Sequence, residues 1–341
     1  MATQSDHSAA AFAGKVDLAA ERLGGKALLA SDEFFAEKEN LLKPGRGIFI
    51  PNKYTENGKW MDGWESRRKR VPGYDWCIIK LGLAGVISGV DIDTNHFLGN
   101  NPAYASVEAC VAAPEASTEI LASEATKWTE ILPRSPLNPG SQNLFPVLNG
   151  TTWTHVRLNI YPDGGVARFR VLGSVTPDWS SHKTGDLIDL VAVENGGQAT
   201  GCSDMFFSAM DNLIMPGRST FMGDGWETKR RRGPGYDWII LKCCQAGKVR
   251  KIEVDTNHFK GNYPDQCSID VCFALDKAID RLTWAEVEWK EILPKTKLQA
   301  HKQHYFEQEI ADIGACTHIR LNIYPDGGIS RLRVWGEIEK V

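Results

Sequence analysis

The stretch Asp62-Gly63-Trp64-Glu65-Ser66-Arg67-Arg68-Lys69-Arg70-Val71-Pro72-Gly73-Tyr74-Asp75-Trp76 returns 162 residues later as Asp224 to Trp238, with eleven of its fifteen positions identical. Arg68/Arg230 and Arg70/Arg232 are among the identical positions, whereas 67/229 and 69/231 exchange Arg and Lys. Lys and Arg are interchangeable where only charge and solvation matter, but not where a planar guanidinium must grip a carboxylate at two points. The two invariant arginines of each copy are therefore more constrained than the basic run around them.

Working outward, three further blocks recur in the same order. Asp17 to Arg46 aligns with Asp189 to Arg218, sharing Ser-Asp followed by Phe-Phe. Asp93-Thr94-Asn95-His96-Phe97 with Gly99-Asn100 recurs as Asp255-Thr256-Asn257-His258-Phe259 with Gly261-Asn262. Thr154 to Gly173 recurs as Thr317 to Gly336, with fifteen of twenty positions identical. The 341 residues thus divide into a tail (1–15), a first repeat (16–174), a linker (175–185) and a second repeat (186–341). Each repeat is close to the commonest domain size. The first carries fifteen residues between Arg46 and Asp62 where the second carries five, a ten-residue insertion with Tyr54 and Trp60 that predicts a surface loop.

Alternation of period two over Val90–Asp93, Ser106–Val111, Val156–Ile160 and Arg168–Val171 predicts half-buried strands. Tyr161-Pro162-Asp163-Gly164-Gly165 predicts a hairpin turn between the last two, with both glycines tolerating positive φ. Ser31-Asp32 is a helix-cap signal for the segment through Asn40. Many antiparallel strands in about 150 residues predict an all-β fold, two tandem jelly-roll sandwiches.

A net charge of -4 and 24% charged residues carry no bias toward nucleic acid. The Lys/Arg runs sit twice in one structural setting, which a nuclear-localisation signal would not explain. The eight cysteines form no Cys-x-x-Cys and match between copies only at Cys110/Cys272, so they read as reduced thiols of a cytoplasmic protein. Residues 1–15 have neither the basic n-region nor the apolar run of a signal peptide, and no stretch approaches the ~20 apolar residues of a membrane span.

Candidate chemistry concentrates in the matched loops. Arg68, Arg70, Arg230 and Arg232 could clamp an anion or be a solvated charged face. Asp62, Glu65 and Asp93, with the twins Glu227 and Asp255, could supply a general acid and base; alternatively Asp62-Gly63 is a turn and Asp93 bonds the backbone. His96 and His258 could move protons or be satisfied in a loop, and no second His or Cys stands at zinc-ligand spacing. His155 and His318 read as structural. Trp64, Tyr74 and Trp76 could wall a pocket, with core the favoured reading for Trp76 and Trp238.

The blocks Asp-Gly-Trp-Glu, Pro-Gly-Tyr-Asp-Trp, Asp-Thr-Asn-His-Phe with Gly-Asn, and Arg-Leu-Asn-Ile-Tyr-Pro-Asp-Gly-Gly followed by Arg168 or Arg331 resemble those of the allantoicase family, from Val16 to Gly336 and in both copies. The resemblance implies galactose-binding-like jelly rolls that hydrolyse allantoate to ureidoglycolate and urea, in a homo-oligomer. It transfers no catalytic assignment and no cofactor, and leaves any divalent metal unknown. Allantoate, a carboxylate with two ureido groups on one carbon, would need an anion clamp and amide partners. Asn95 and Asn100 suit the second role, with Asn257 and Asn262 in the other copy, and Glu65, Asp93 or His96 could divide the proton transfers. The rival reading is a non-catalytic carbohydrate- or anion-binding module, since fold does not fix function.

Overall fold

The computed structural model describes residues 12, 14–180, 182–275, 278–281 and 283–339. Most of the predicted tail lies outside them. The chain forms two compact units that divide between Pro177 and Asp178.

The first unit contains β1 (Val16–Asp17), β2 (Lys26–Ala30), β3 (Tyr54–Thr55), β4 (Gly58–Lys59), β5 (Trp64–Glu65), β6 (Asp75–Asp93), β7 (Tyr104–Cys110), β8 (Thr129–Pro136), β9 (Leu144–Pro146), β10 (Thr152–Tyr161), β11 (Gly165–Val166) and β12 (Arg168–Val175). The 19-residue β6 belongs to two layers. Its first part, Asp75–Lys80, pairs with β10 and β2, and β10 continues through β7 to β8. Its second part, Gly85–Asp93, pairs with β12 and β9, and β12 continues to β1. Cys77 and Ile79 from one part and Val90 and Ile92 from the other enter a single core with Val107, Val156, Leu158, Ile160, Phe169 and Val171. The alternating residues read from the sequence are these inward positions. The architecture is an all-β jelly-roll sandwich.

The second unit repeats it with β13 (Leu187–Asp189), β14 (Gln198–Cys202), β15 (Trp226–Glu227), β16 (Asp237–Asp255), β17 (Gln266–Cys272), β18 (Lys290–Lys297), β19 (Gln303–Phe306), β20 (Cys316–Tyr324), β21 (Gly328–Ile329) and β22 (Arg331–Ile338). The two eight-stranded arrangements have the same order, with β16 in the place of β6.

Two local expectations are corrected. Tyr161–Gly165 does not close a hairpin: β10 and β12 flank β6 and do not pair with each other, and the segment between them crosses layers and gives β11, which pairs with β5. Of its glycines only Gly164 has positive φ (135°); Gly165 is needed because a Cβ there would stand 1.9 Å from the Phe97 ring. Ser31 and Asp32 cap no helix, since Ser31 donates to Asp75 and Asp32 accepts from Phe34 and Arg67, while the short 3-10 turn Lys38–Leu42 follows Glu37. Trp64 and Trp226 follow the core reading of the two left open: both are wholly buried, each with its indole N–H donating to the carbonyl of Asp32 or Asp204. Trp76 and Trp238 are half-buried in smaller satellite clusters.

The insertion of the first copy holds the β3–β4 ribbon at the surface. Ile48 N–H donates to Asp62 at its base and Asn57 donates to the Phe34 carbonyl. All eight cysteines are free. Among the described residues no helix is long and apolar enough to cross a membrane.

Candidate active site

Strand alternation at β5 sends Trp64 into the core and Glu65 the other way. Glu65 pairs in register with Gly165 and bridges Ala36, which fixes its backbone on both sides. Its carboxylate is buried and accepts a 2.7 Å hydrogen bond from Asn100 Nδ2 at Oε1. Burial pushes the Glu65 carboxyl above its usual range, and the Asn100 bond recovers only part of the shift. Glu227 is buried in the same way, bonded to Asn262 and shifted upward for the same reason. Neither glutamate is in an ion pair among the described residues.

Phe97 forms the floor. It is fully buried, and side chains at Gly63 and Gly165 would stand 2.8 and 1.9 Å from its ring. The glycines of Asp-Gly-Trp-Glu and Tyr-Pro-Asp-Gly-Gly therefore let two chain segments lie flat on one aromatic ring. Asn100 is placed by the same contact, because its carbonyl accepts the Gly165 N–H at 2.8 Å.

His96 and His258 share a left-handed backbone, φ 68° in both copies. Such a conformation is uncommon outside glycine and, when imposed twice, marks a position the surrounding loops define. The surroundings differ between copies. Phe49 from the insertion lies 5.6 Å, centroid to centroid, from the His96 ring. His301 accepts the His258 N–H on Nδ1 at 2.9 Å, and His258 Nε2 lies 3.0 Å from the Ser219 carbonyl.

The remaining candidates separate by what already occupies them. Both Asp93 oxygens are taken by Arg46, at 2.9 and 2.8 Å, with a further bond from the Asn95 N–H. Asp255 is held in the same way by Arg218 and Asn257. Asn95 and Asn257 spend their side-chain N–H groups on the carbonyls of Gly47 and Ser219. Asp62 forms a buried ion pair with Arg168, 2.7 Å, and Asp224 pairs with Arg331 at 2.9 Å. His155 and His318 are buried, each beside a Thr hydroxyl, and burial pushes His318 down to about 4.

The basic run sorts itself by alternation. Arg67 pairs with Asp32 and Lys69 with Asp75, and their counterparts Lys229 and Arg231 pair with Asp204 and Asp237. Arg68, Arg70, Arg230 and Arg232 are exposed, with no hydrogen bond or ion pair among the described residues. So the positions that tolerate Lys for Arg serve internal ion pairs, and the invariant arginines have their guanidinium groups free.

The structure thus brings Glu65 together with Asn100, and Asp93 with the backbone of Asn95; it leaves the arginines outside both clusters. Among the described residues no group of three or more His, Cys, Asp or Glu side chains could hold a metal ion. Arg46 and Arg218, Phe49 and His301 were missing from the sequence reading. Only the first pair had a signal, as the invariant last residues of a matched block.

A family model described as "Allantoicase repeat" matches residues 16–176 and again 188–339. The chain is 50% identical over 337 residues to a protein named "Probable allantoicase 1" from Burkholderia mallei, covering 98% of each. It is 49% identical over 325 residues to a "Probable allantoicase" from Photobacterium profundum, covering 95% of this chain and 97% of the relative. The crystal structure of allantoicase from Saccharomyces cerevisiae superposes with a TM-score of 0.83 at 36% identity, covering 98% of both chains. With a repeat model matched twice across nearly its whole length, and relatives of about half-identical sequence end to end, this chain belongs to the allantoicase family.

Proposed function

We propose that this protein is a hydrolase that cleaves one C–N bond of allantoate, giving ureidoglycolate and urea. The observation that carries the reading is the pair of desolvated glutamates, Glu65 on Asn100 and Glu227 on Asn262, built identically in both copies. Burial favours the protonated acid, and a Glu tuned upward is suited to donate and recover a proton near neutral pH.

In this reading Arg68 and Arg70, or Arg230 and Arg232, receive the substrate carboxylate. Glu65 Oε2 gives its proton to the departing ureido nitrogen as the bond to the central carbon breaks, releasing urea. Water then adds to that carbon, and the Glu65 carboxylate takes the proton which the water loses. One water is consumed, and the glutamate ends protonated as it began. Asn100 holds Oε1 throughout, so its role moves from substrate contact to positioning. Asp93 and Asp255 move from acid/base candidates to positioning residues for the loop that carries His96 or His258, because their oxygens are spent on arginine. Asn95 and Asn257 leave the substrate-contact list for the same kind of reason. The histidines remain the second group able to hand a proton to or from the site.

The test is urea release from allantoate, with allantoin, the closed-ring compound without a free carboxylate, as the inert control. Absence of urea, with and without added divalent metal, would overturn the reading. Separate Arg68→Ala and Arg230→Ala variants then report the copies: half activity in each means two independent sites, loss in only one means that its copy carries the site, and loss in each alone means that activity depends on both copies.

A further inference from the structure

A second cleft lies in the second unit beside the basic run, and none of Glu227, Asn262, His258, Arg230 or Arg232 is in its lining. It has a volume of about 550 Å³ and is lined by Thr200, Cys202, Asp204, Met205, Phe206, Met210, Lys229 and Arg281, among others. That volume falls in the range of small-molecule sites.

The same part of the first unit is built differently. The positions of Thr200 and Gly201 are held there by Leu28 and Leu29, and those of Met205 and Met210 by Glu33 and Lys38. Glu33 and Lys38 form an ion pair of 3.1 Å that extends to Glu39. Arg67, in the place of Lys229, lies over the Phe34 ring at 5.2 Å. The first copy therefore satisfies this region with its own charges. In the second, two thioethers replace the ion pair, and Phe206 is 70% exposed where Phe34 is 43% exposed.

The glycine at 201 shapes the cleft. A Cβ there would stand 2.5 Å from the Arg281 backbone nitrogen, so the chain at 280–281 lies directly on β14 and carries Arg281 to the cleft wall. Lys229 is paired with Asp204 at 3.2 Å, whereas Arg281 makes no hydrogen bond or ion pair among the described residues. Lys229 is thus spent on Asp204, and Arg281 is the exposed cation of the wall. Burial pushes the Cys202 thiol up to about 11, so it adds no charge at neutral pH. The hydroxyls are occupied, since Ser203 donates to Asp237 and Thr200 to the Ile240 carbonyl.

From this geometry we infer that the cleft of the second copy is a binding site for a small organic monoanion with a flat apolar body, its carboxylate on Arg281 and its body against Met205, Phe206 and Met210. Arginine presents a fork that matches a carboxylate, and thioethers adapt to aromatic faces. The site is independent of the proposed hydrolysis and stands if that reading falls.

Benzoate is the probe, titrated into the full-length protein carrying 13C-methyl methionine. The chain has six methionines, which keeps the spectrum assignable. The Met205 and Met210 methyl signals are expected to shift saturably with benzoate. Benzamide, which has the body without the charge, and acetate, which has the charge without the body, are expected to bind at least about tenfold more weakly. Arg281→Gln should weaken benzoate by a similar factor. Met210→Lys, the residue of the first copy, should close the cleft; it alters one partly exposed side chain, so a melt identical to wild type checks that the fold is kept. No saturable shift at Met205 and Met210, benzamide binding equal to benzoate, or benzoate binding unchanged in Arg281→Gln would each overturn the inference.

Discussion

Arg46 closes on Asp93 with two hydrogen bonds, and Asp93 is buried while the Arg46 side chain is 49% exposed. The pair ties the start of the first insertion to the end of β6, directly before Asn95 and His96. Arg46→Ala leaves a buried carboxylate with only the Asn95 N–H. Because one partner is half in solvent, the loss should fall between that of a surface pair and that of a fully buried one, about 1 to 3 kcal/mol. Chemical denaturation measures it, and Arg218→Ala should cost a similar amount.

Glu65→Gln with Glu227→Gln should lower kcat on allantoate by about 10²- to 10⁴-fold, the usual worth of a positioned acid or base. Steady-state urea release is the measurement. Thermal stability at neutral pH should hold or rise, since the amide removes a carboxyl that burial disfavours in its charged form. A kcat within threefold of wild type would remove both residues from the chemistry.

Asp91 provides the pH prediction. It is buried on β6 with Oδ2 accepting from Gln142 and Oδ1 without a partner, and burial pushes its carboxyl up to about 6. A carboxyl whose folded value is raised binds its proton more tightly in the folded state. It therefore costs no stability below the usual carboxylate value near 4, and the full penalty is present above about 6. Asp91→Asn should accordingly stabilise the protein at pH 7 to 8 by up to about 2 to 3 kcal/mol, with the gain fading toward pH 4. Denaturation midpoints across that range test the sign.

Replacing Arg68 and Arg230 together by Lys should reduce kcat/KM about ten- to a hundredfold, the worth of a charge-assisted bidentate contact. Arg67→Lys should be nearly silent, as position 229 already carries Lys on the equivalent aspartate. Equal, mild effects at all three positions would return Arg68 and Arg230 to a solvated face.

Gly165→Ala should destabilise the first unit by about 1 to 3 kcal/mol or more, since its methyl would overlap the Phe97 ring and the ring has no room to move. Gly328→Ala should do the same against Phe259. A melting temperature within a degree of wild type would show that the ring yields.

Duplication made the fold and the site loops legible, because identity between copies marked Glu65, Asn100 and the invariant arginines without any structure. Period-two alternation located Val90 to Asp93 and Val156 to Ile160 on strands. It could not say that β10 and β12 flank one long strand, because pairing partners are set by the packing of two layers and leave no local pattern. For Asp93 the sequence left an acid and a backbone-bonding role open, and the backbone bond from Asn95 is present; its ion pair with Arg46 could not be read because the partner is 47 residues away in the chain. Phe49 and His301 were invisible for a related reason: they do the same service for the two histidines from unmatched segments, so no comparison of the copies could align them. Trp64 was left open between pocket wall and core because alternation gives opposite faces for Trp64 and Glu65 but does not say which face is the core.

The division of β6 between both layers makes each sandwich indivisible. Gly85 and Val86 pair with both β10 and β12, so a cut near the middle of Asp75–Asp93 would sever the strand that joins the two layers around their shared core. Half-domains of this design have no fold of their own, unlike the short units of a solenoid, which need only their neighbours. The copies accordingly recur as whole sandwiches, 162 residues apart at Asp62 and Asp224.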